Sequence, residues 1–147
     1  MTKTPPKENE TKLTKTYING AWQDGSPPVL SPSSQAMWLS TVVFDGARAL
    51  QGHLPDLDLH SARVNQSAKE LGMLPTHSTE EIIQLSKDGV AQFDDDAELY
   101  ICPMYYAEEG FIAPVAESTK FVLSIYEAPL PEPAGFRACR SSFRRPM

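Results

Sequence analysis

Arginine side chains are the groups in this chain best able to bind an anion. Arg63 follows His60 by three residues in a segment that is predicted to be helical, so both side chains would lie on one side of the helix. A guanidinium can hold a phosphate or a carboxylate through two parallel hydrogen bonds. An arginine on an amphipathic helix can equally be solvated, and the spacing alone favours that alternative.

The stretch TVVFDGARAL, at residues 41–50, is a second candidate for a binding site. Its two valines and Phe44 are typical of a buried strand, and Asp45 and Gly46 follow directly. Such a strand can simply turn out into solvent. It can also present backbone and charge to a ligand, because glycine permits close approach to the chain. These ten residues by themselves favour the turn.

Common catalytic and metal-binding patterns do not occur in the sequence. The three histidines lack the HExxH spacing, and neither GxSxG nor GxxxxGK[ST] is found. Three aspartates at 94–96 predict a solvated turn, because consecutive side chains diverge and cannot surround a cation. Cys102 and Cys139 form no CxxC pair, which favours two reduced thiols in a cytoplasmic protein. We therefore predict no metal site and no self-contained catalytic set.

Composition limits the class of protein and of partner. The chain has 147 residues, 41% of them hydrophobic, which is enough for one ordinary domain with a core. A net charge of -6 argues against a nucleic-acid partner, which needs a concentrated basic face. Residues 1–15 are polar and match neither a signal peptide nor a membrane span, so we predict a disordered tail there.

Several elements are predicted from local signals. Asn19-Gly20 is typical of a two-residue hairpin turn. A strand is predicted around residues 42–44, with a second short strand after Arg48. A helix follows, capped by Asp58 and ended by Gly72. Its predicted apolar face comprises Leu59, Ala62, Ala68 and Leu71.

The remaining elements are a second helix and further strands. Ser78 and Glu81 have the spacing of a capping box, which begins a helix predicted to reach Phe93 with Ile82, Ile83, Leu85 and Val90 on its apolar side. ELYICPMYYAE and KFVLSIYEA predict two strands, and FRACRSSFRRPM predicts one more that has barely begun at Met147. The order favours an α+β domain with a mostly antiparallel sheet and two helices on one face. We expect this domain at 16–128, and a linker with the start of a second domain at 129–147.

Four segments, taken in order, resemble a known family. YINGAW, VVFDGARAL, LDLHSARVNQSAKELGM and ELYICPMYY are similar to the N-terminal domain of the fold-type IV (class IV) pyridoxal-phosphate aminotransferases, especially the branched-chain amino acid group. The resemblance implies a small α+β domain, a linker and a larger second domain, with the active site between them in a homodimer. It also implies pyridoxal 5'-phosphate as cofactor and an amino acid and a 2-oxo acid as substrates.

The resemblance assigns roles to particular residues. Arg63 matches the arginine of an HxxR helix that binds the cofactor phosphate. Phe44 and Gly46 match an FEG wall of the substrate pocket, in which Asp45 replaces the usual glutamate, and Arg48 matches an arginine two residues later. Tyr100 matches the tyrosine of a YIRP strand that lines the same cavity.

Two departures from the family pattern concern the substrate. Cys102 replaces the arginine of YIRP, which in branched-chain enzymes helps to hold a substrate carboxylate, and a thiol has no such charge. Trp38-Leu39-Ser40 replaces the family's HYG, which removes a tyrosine hydroxyl from the pocket. Both changes make the cavity less suited to a dicarboxylate such as glutamate, so we expect a different amino donor.

A third departure concerns catalysis. The family's Schiff-base lysine belongs beyond the position of SSFRRPM, and Lys69, Lys87 and Lys120 occupy no matching place. The chain is therefore expected to be the N-terminal part of a transaminase and inactive alone. The alternatives are a non-catalytic binding or dimerisation module, or a D-amino acid transaminase or aminodeoxychorismate lyase of the same fold. In each case we expect an exposed apolar surface where a second half docks.

Overall fold

The computed structural model describes residues 13–131, 135 and 137–143. Six strands and three helices are formed in this part of the chain, together with a short 3₁₀ turn at Ala116–Ser118. In chain order they are β1 (Thr14–Ile18), β2 (Ala21–Asp24), α1 (Gln35–Leu39), β3 (Val42–Phe44), β4 (Ala47–Ala49), α2 (Leu57–Glu70), α3 (Thr79–Val90), β5 (Leu99–Ala107) and β6 (Thr119–Glu127).

The six strands form one antiparallel sheet in the order β2-β1-β6-β5-β3, and β4 also pairs with β5. β1 and β2 form the hairpin predicted at Asn19-Gly20, where both residues have positive φ angles of 53° and 80°. Only a turn with such angles matches the twist of the two strands. The predicted α+β fold with a mostly antiparallel sheet is confirmed.

β3 and β4 share one register on β5, although two residues separate them. Val42, Val43 and Phe44 pair with residues 106, 105 and 104, and Ala47, Arg48 and Ala49 pair with residues 101, 100 and 99. Asp45 donates its N–H to the carbonyl of Pro103 at 3.1 Å. Proline has no N–H to return to Asp45, so the ladder is interrupted there while the alternation of side chains continues.

Side chains alternate between the two faces of this sheet, and α2 and α3 cover one of them. The core between helices and sheet includes Val64, Ile82, Leu99, Ile101, Tyr105, Leu123 and Ile125. The opposite face carries Phe44, Arg48, Tyr100 and Cys102, because these residues occupy the other parity of their strands. We call it the open face. A smaller apolar cluster around Ile18, Ala36, Tyr106 and Val122 covers its far end.

The helix predicted after Asp58 is present as α2, but its cap and its buried face differ from the prediction. The helix begins at Leu57 after Asp56, and its buried side is Leu57, Ser61, Val64, Asn65 and Ala68. Leu59 and Leu71, assigned to the apolar face, are exposed. Ala68 is buried as predicted, whereas Ser61 and Asn65 are polar, so apolar periodicity does not place them on the buried side. Gly72, with φ of 79°, follows the end of the helix as predicted.

The second predicted helix is confirmed as α3, with its capping box. Ser78 Oγ accepts a hydrogen bond from the Glu81 N–H at 3.1 Å, and the Glu81 carboxylate accepts one from the Ser78 N–H at 2.7 Å. Ile82 is fully buried. The helix ends at Val90 rather than at Phe93, which lies in the turn that follows.

The structure also differs from the predicted elements near both ends of the chain. β1 includes Thr14 and Lys15, which had been assigned to the tail; residues 1–12 lie outside the described residues. The short helix α1 was not predicted. The strand predicted in FRACRSSFRRPM is not formed at residues 137–143, which have no pairing partner in the described structure; residues 136 and 144–147 of that segment are not described.

Candidate functional site

Asp45 is a buried carboxylate at the end of β3, and it faces the helix side of the sheet between Phe44 and Gly46. Only 7% of the residue is exposed. The guanidinium of Arg63, on α2, binds it through two hydrogen bonds, from Nε to Oδ2 at 2.5 Å and from Nη2 to Oδ1 at 2.7 Å. The His60 Nδ1 lies 2.7 Å from Oδ1, and the Gly46 N–H donates to the same oxygen at 2.7 Å.

The charge of Asp45 is stabilised by these contacts. Burial is the largest single influence and raises the pKa of this carboxyl. The hydrogen bonds from Arg63, His60 and the Gly46 N–H, with the positive charge of Arg63, together outweigh burial, so the pKa of Asp45 lies below its ordinary value of 3.8. Asp45 is therefore ionised at neutral pH.

The tautomer of His60 follows from its neighbours. Nδ1 approaches the Asp45 carboxylate at 2.7 Å and the Arg63 Nη2 at 3.0 Å. A guanidinium nitrogen only donates and a carboxylate oxygen only accepts, so the shorter contact assigns the proton to Nδ1. His60 therefore supports the Asp45 carboxylate through Oδ1, in addition to Arg63.

Arg63 keeps hydrogen-bonding capacity that the pair with Asp45 does not use. Its side chain is 61% exposed. Nε and one N–H of Nη2 are occupied, whereas Nη1 has no hydrogen-bond partner among the described residues. A guanidinium has five N–H groups in a rigid plane, and Nη2 also contacts His60 Nδ1, so the two N–H groups of Nη1 remain for an anion. The donor set therefore fits a phosphate group.

Gly46 and Tyr100 come together on the open face. A Cβ added to Gly46 would lie 1.9 Å from the Tyr100 Oη, which is far inside contact distance. No side chain fits between the backbone at 46 and this phenol. Tyr100 also packs against Tyr126, with the ring centroids 5.5 Å apart. These residues bring an aromatic surface next to the strand end that carries Asp45.

Cys102 and Tyr100, two polar residues of this surface, are neutral. Burial, with a smaller contribution from the negative charge of Asp45, raises the pKa of the Cys102 thiol to about 11. Burial also raises the pKa of the Tyr100 hydroxyl. Cys102 is thus a thiol, and Tyr100 a phenol, at physiological pH. Neither can provide the charge that an arginine at position 102 would provide.

Arg48 and Phe44 occupy the same face in different environments. Arg48 lies opposite Tyr100 in the register of β4 and β5, and its Nη1 donates to the carbonyl of Ala128 at 2.7 Å. Phe44, expected in a buried strand, is 63% exposed, because β3 is an edge strand with no element above it in the described structure.

Trp38 and Leu39 are not brought to Tyr100 within one chain. Both lie on α1 and are exposed, and the Trp38 Nε1 donates to the carbonyl of Pro32 at 2.7 Å. α1 precedes Val42, which pairs with residue 106, whereas Tyr100 is six residues away along β5. At about 3.3 Å per residue, this is a separation of roughly 20 Å.

Sequence reasoning missed the role of Asp45. It was noted only as the acid that replaces a glutamate, and Arg63 was considered without a partner. The two residues are 18 positions apart and belong to different elements, so no helical or strand spacing predicts their contact. The HxxR spacing of His60 and Arg63 was the available signal, and both side chains do converge on one carboxylate.

The described residues form neither a membrane-spanning helix nor a cluster of metal ligands. No helix there is long and apolar enough to cross a membrane. No group of three or more histidine, cysteine or acidic side chains in residues 13–131, 135 and 137–143 could hold a metal ion.

The chain is similar to one protein family and to solved structures of aminotransferases. The profile of the family Amino-transferase class IV matches residues 42–147. An aminotransferase from Brucella abortus, crystallised with the co-factor PLP, is 47% identical with a TM-score of 0.87, over 91% of this chain and 49% of that chain. No curated protein sequence matches significantly.

More distant structures share the fold. The branched-chain aminotransferase from Thermoproteus uzoniensis is 23% identical with a TM-score of 0.66, over 82% of this chain and 42% of that chain. The enzyme from Escherichia coli is 20% identical with a TM-score of 0.69, over 80% and 42% of the two chains. The chain thus spans about half the length, 49%, of the Brucella abortus protein. Since the family profile covers most of the sequence, this chain belongs to the class IV aminotransferases.

Proposed function

We propose that this chain forms the phosphate-binding part and one wall of the substrate pocket in a pyridoxal-phosphate transaminase, which interconverts an amino acid and a 2-oxo acid. The observation that carries the proposal is the state of Arg63. Its guanidinium is held at a fixed place by the buried Asp45 carboxylate, yet the two N–H groups of Nη1 have no partner among the described residues. The Brucella abortus aminotransferase, 47% identical, was crystallised with PLP, which supports this choice of anion.

Each residue near Asp45 has a separate task in this proposal. Arg63 would bind the cofactor phosphate, and Asp45 would orient its guanidinium so that little entropy is lost on binding. His60 would hold the other side of the same carboxylate. When bound, the cofactor supplies the electron sink that amino-group transfer needs. The chain's own contribution is to fix the phosphate and to shape the pocket.

The open face would form the pocket wall. Tyr100, seated over Gly46, would present a flat aromatic surface and a neutral hydroxyl to the substrate. Phe44 would extend this surface towards the sheet edge. Cys102 gives no positive charge, so we propose that a second carboxylate on the amino donor is poorly held and that apolar side chains, as in branched-chain amino acids, are preferred.

The remaining parts of the active site would be supplied by a second domain and by a second subunit. A second domain with the Schiff-base lysine is supported by coverage of 49% of the Brucella abortus chain, and these 147 residues alone would be inactive. A homodimer is supported by exposed apolar side chains on and next to α1 and on β3. They are Met37, Trp38, Leu39, Val42 and Phe44. We place the protein in the cytoplasm on the basis of its two free thiols.

The test is cofactor binding by the complete protein that contains this chain. Arg63→Ala should weaken pyridoxal 5'-phosphate binding about tenfold or more, because it removes charge-assisted hydrogen bonds to a phosphate. Lys69→Ala changes an exposed cation on the same helix and is the control. Binding can be followed by the absorbance of the cofactor. If Arg63→Ala binds as tightly as the wild type does, the phosphate is held elsewhere and the proposal fails.

Assays with a panel of amino donors test the proposed preference for apolar side chains over a second carboxylate. Cys102→Arg restores a cation in the wall and should improve the use of glutamate relative to leucine, seen as a lower KM for glutamate. Cys102→Ser is the matched control, because it keeps the size and adds no charge. Efficient use of glutamate by the unchanged protein would contradict the proposed preference.

A further inference from the structure

The segment that leaves β6 is held to the end of the sheet by two residues from other parts of the chain. We call residues 128–130 the exit segment. Arg48 Nη1, from β4, donates to the carbonyl of Ala128 at 2.7 Å. The Ala128 N–H donates to the backbone carbonyl of Glu98 at 2.8 Å, and the Leu130 N–H donates to the Glu98 carboxylate at 2.6 Å. Three hydrogen bonds therefore fix the exit segment.

These hydrogen bonds hold a segment that is little stabilised by packing. Pro129 and Leu130 are exposed, and no described strand pairs with the exit segment beyond Glu127. Exposed chain beyond a strand frays readily when hydrogen bonds do not hold it. Two of the three bonds here have a charged partner, either the Arg48 guanidinium or the Glu98 carboxylate, which makes them stronger than neutral ones. The first residues of the predicted linker are thus ordered by specific side chains.

The position of Arg48 ties the exit segment to the candidate site. Arg48 lies directly opposite Tyr100 across β4 and β5. Glu98 immediately precedes Leu99, the first residue of β5. The two residues that hold the exit segment therefore belong to the same end of the sheet as Tyr100.

We propose that Arg48 and Glu98 form a clasp that fixes the direction in which the chain leaves the sheet, next to Tyr100. Arg48 is then a positioning residue, in contrast to the substrate-binding role that the family resemblance implied. The clasp sets where residues 128–130 lie relative to the pocket wall. This goes beyond the proposed function, because no contact of the clasp involves a cofactor or a substrate.

Amide hydrogen exchange of the 147-residue chain tests the clasp without any cofactor. Arg48→Met keeps the length of the side chain and removes its donors, and Glu98→Ala removes the acceptor for Leu130. Each variant should raise the exchange rate of the Leu130 amide about fivefold or more, since a hydrogen bond to a charged group is lost. Glu98→Gln, which keeps an acceptor oxygen, should raise it less. Core amides such as Ile101 should be unchanged and report on global unfolding.

The alternatives give different results. If Arg48→Met and Glu98→Ala both leave Leu130 exchange at the wild-type rate, there is no clasp. Should Arg48→Met unfold the domain, Glu98→Ala carries the same test from a partly exposed position. A failure of Arg63→Ala to weaken cofactor binding would overturn the proposed function and leave these exchange rates unaffected, so the two failures can be told apart.

Discussion

The phenol of Tyr100 lies directly over the backbone of Gly46, at a distance that leaves no room for even a methyl group. The nearest atom to a Cβ at position 46 would be the Tyr100 Oη, at 1.9 Å, followed by Cζ at 2.6 Å. Gly46 is therefore required for packing, because its lack of a side chain is what seats the aromatic ring. Gly46 contributes to the proposed pocket by leaving room for the Tyr100 ring.

Gly46→Ala should displace Tyr100 and destabilise the domain by about 1–3 kcal/mol, the usual cost of overpacking. Denaturant unfolding measures this change. In the background of Tyr100→Ala the same substitution should cost much less, because the clashing ring is absent. Equal costs in the two backgrounds would show that the contact does not matter.

Asp45 gives the domain a pH-dependent part of its stability. Its folded pKa lies below the ordinary value of 3.8, so its contribution is fully present above that pH and is lost as the pH falls through the folded pKa. Asp45→Asn should therefore lower the free energy of unfolding by about 1–2 kcal/mol at pH 7, with the difference from wild type shrinking below pH 3.8.

Urea unfolding at a series of pH values checks this dependence. Asp95→Asn, in the exposed aspartate turn, is the control and should change stability little at any pH. A difference between Asp45→Asn and wild type that stays constant down to strongly acid pH would mean that the pair with Arg63 is not the source.

The two cysteines should differ sharply in reactivity. Cys139 is exposed, whereas Cys102 is partly buried with a thiol pKa raised to about 11. Only the thiolate reacts with iodoacetamide, so Cys139 should be alkylated at pH 8 while Cys102 remains protected until the chain is unfolded. Mass spectrometry of the peptides measures both rates, and Cys139→Ser isolates the slow site. Fast labelling of Cys102 in the folded protein would contradict its assigned environment.

The capping box of α3 offers a simple test of local stability. Ser78→Ala removes the acceptor for the Glu81 N–H and should cost about 1 kcal/mol. Ser78→Thr keeps a hydroxyl and should cost clearly less. Thermal unfolding monitored by circular dichroism compares the two variants, and an identical loss for both would show that the hydroxyl is not the group that matters.

The sequence was sufficient for the parts of the fold that depend on neighbouring residues. The Asn19-Gly20 turn and the Ser78–Glu81 box were predicted, because their chemistry lies within four residues. The long strands β5 and β6 were found from β-branched and aromatic runs. The buried face of α2 was predicted correctly at Ala68 and incorrectly at Leu59 and Leu71, because the buried side also includes the polar Ser61 and Asn65.

Part of the predicted set of site residues lies together in the structure, whereas Trp38 and Leu39 lie apart from it on α1. Phe44, Gly46, Arg48, Tyr100 and Cys102 do share one region of the sheet, and their roles towards a substrate remain predictions. The contacts that determine their states are long-range in sequence. The bond from Arg48 to Ala128 and the pair of Asp45 with Arg63 depend on how separate elements meet, which no local pattern encodes.

The continuous register of β3 and β4 on β5 restricts how this chain can change in length. Because Asp45 and Gly46 only interrupt the ladder, parity alone decides that Asp45 faces the helices while Gly46 and Arg48 face the pocket. Inserting one residue between Phe44 and Asp45, with β3 kept in register, would turn Asp45 to the open face and Arg48 towards the helices. Unless a β-bulge absorbs the extra residue, such a change separates Asp45 from Arg63 and Arg48 from Ala128 at the same time.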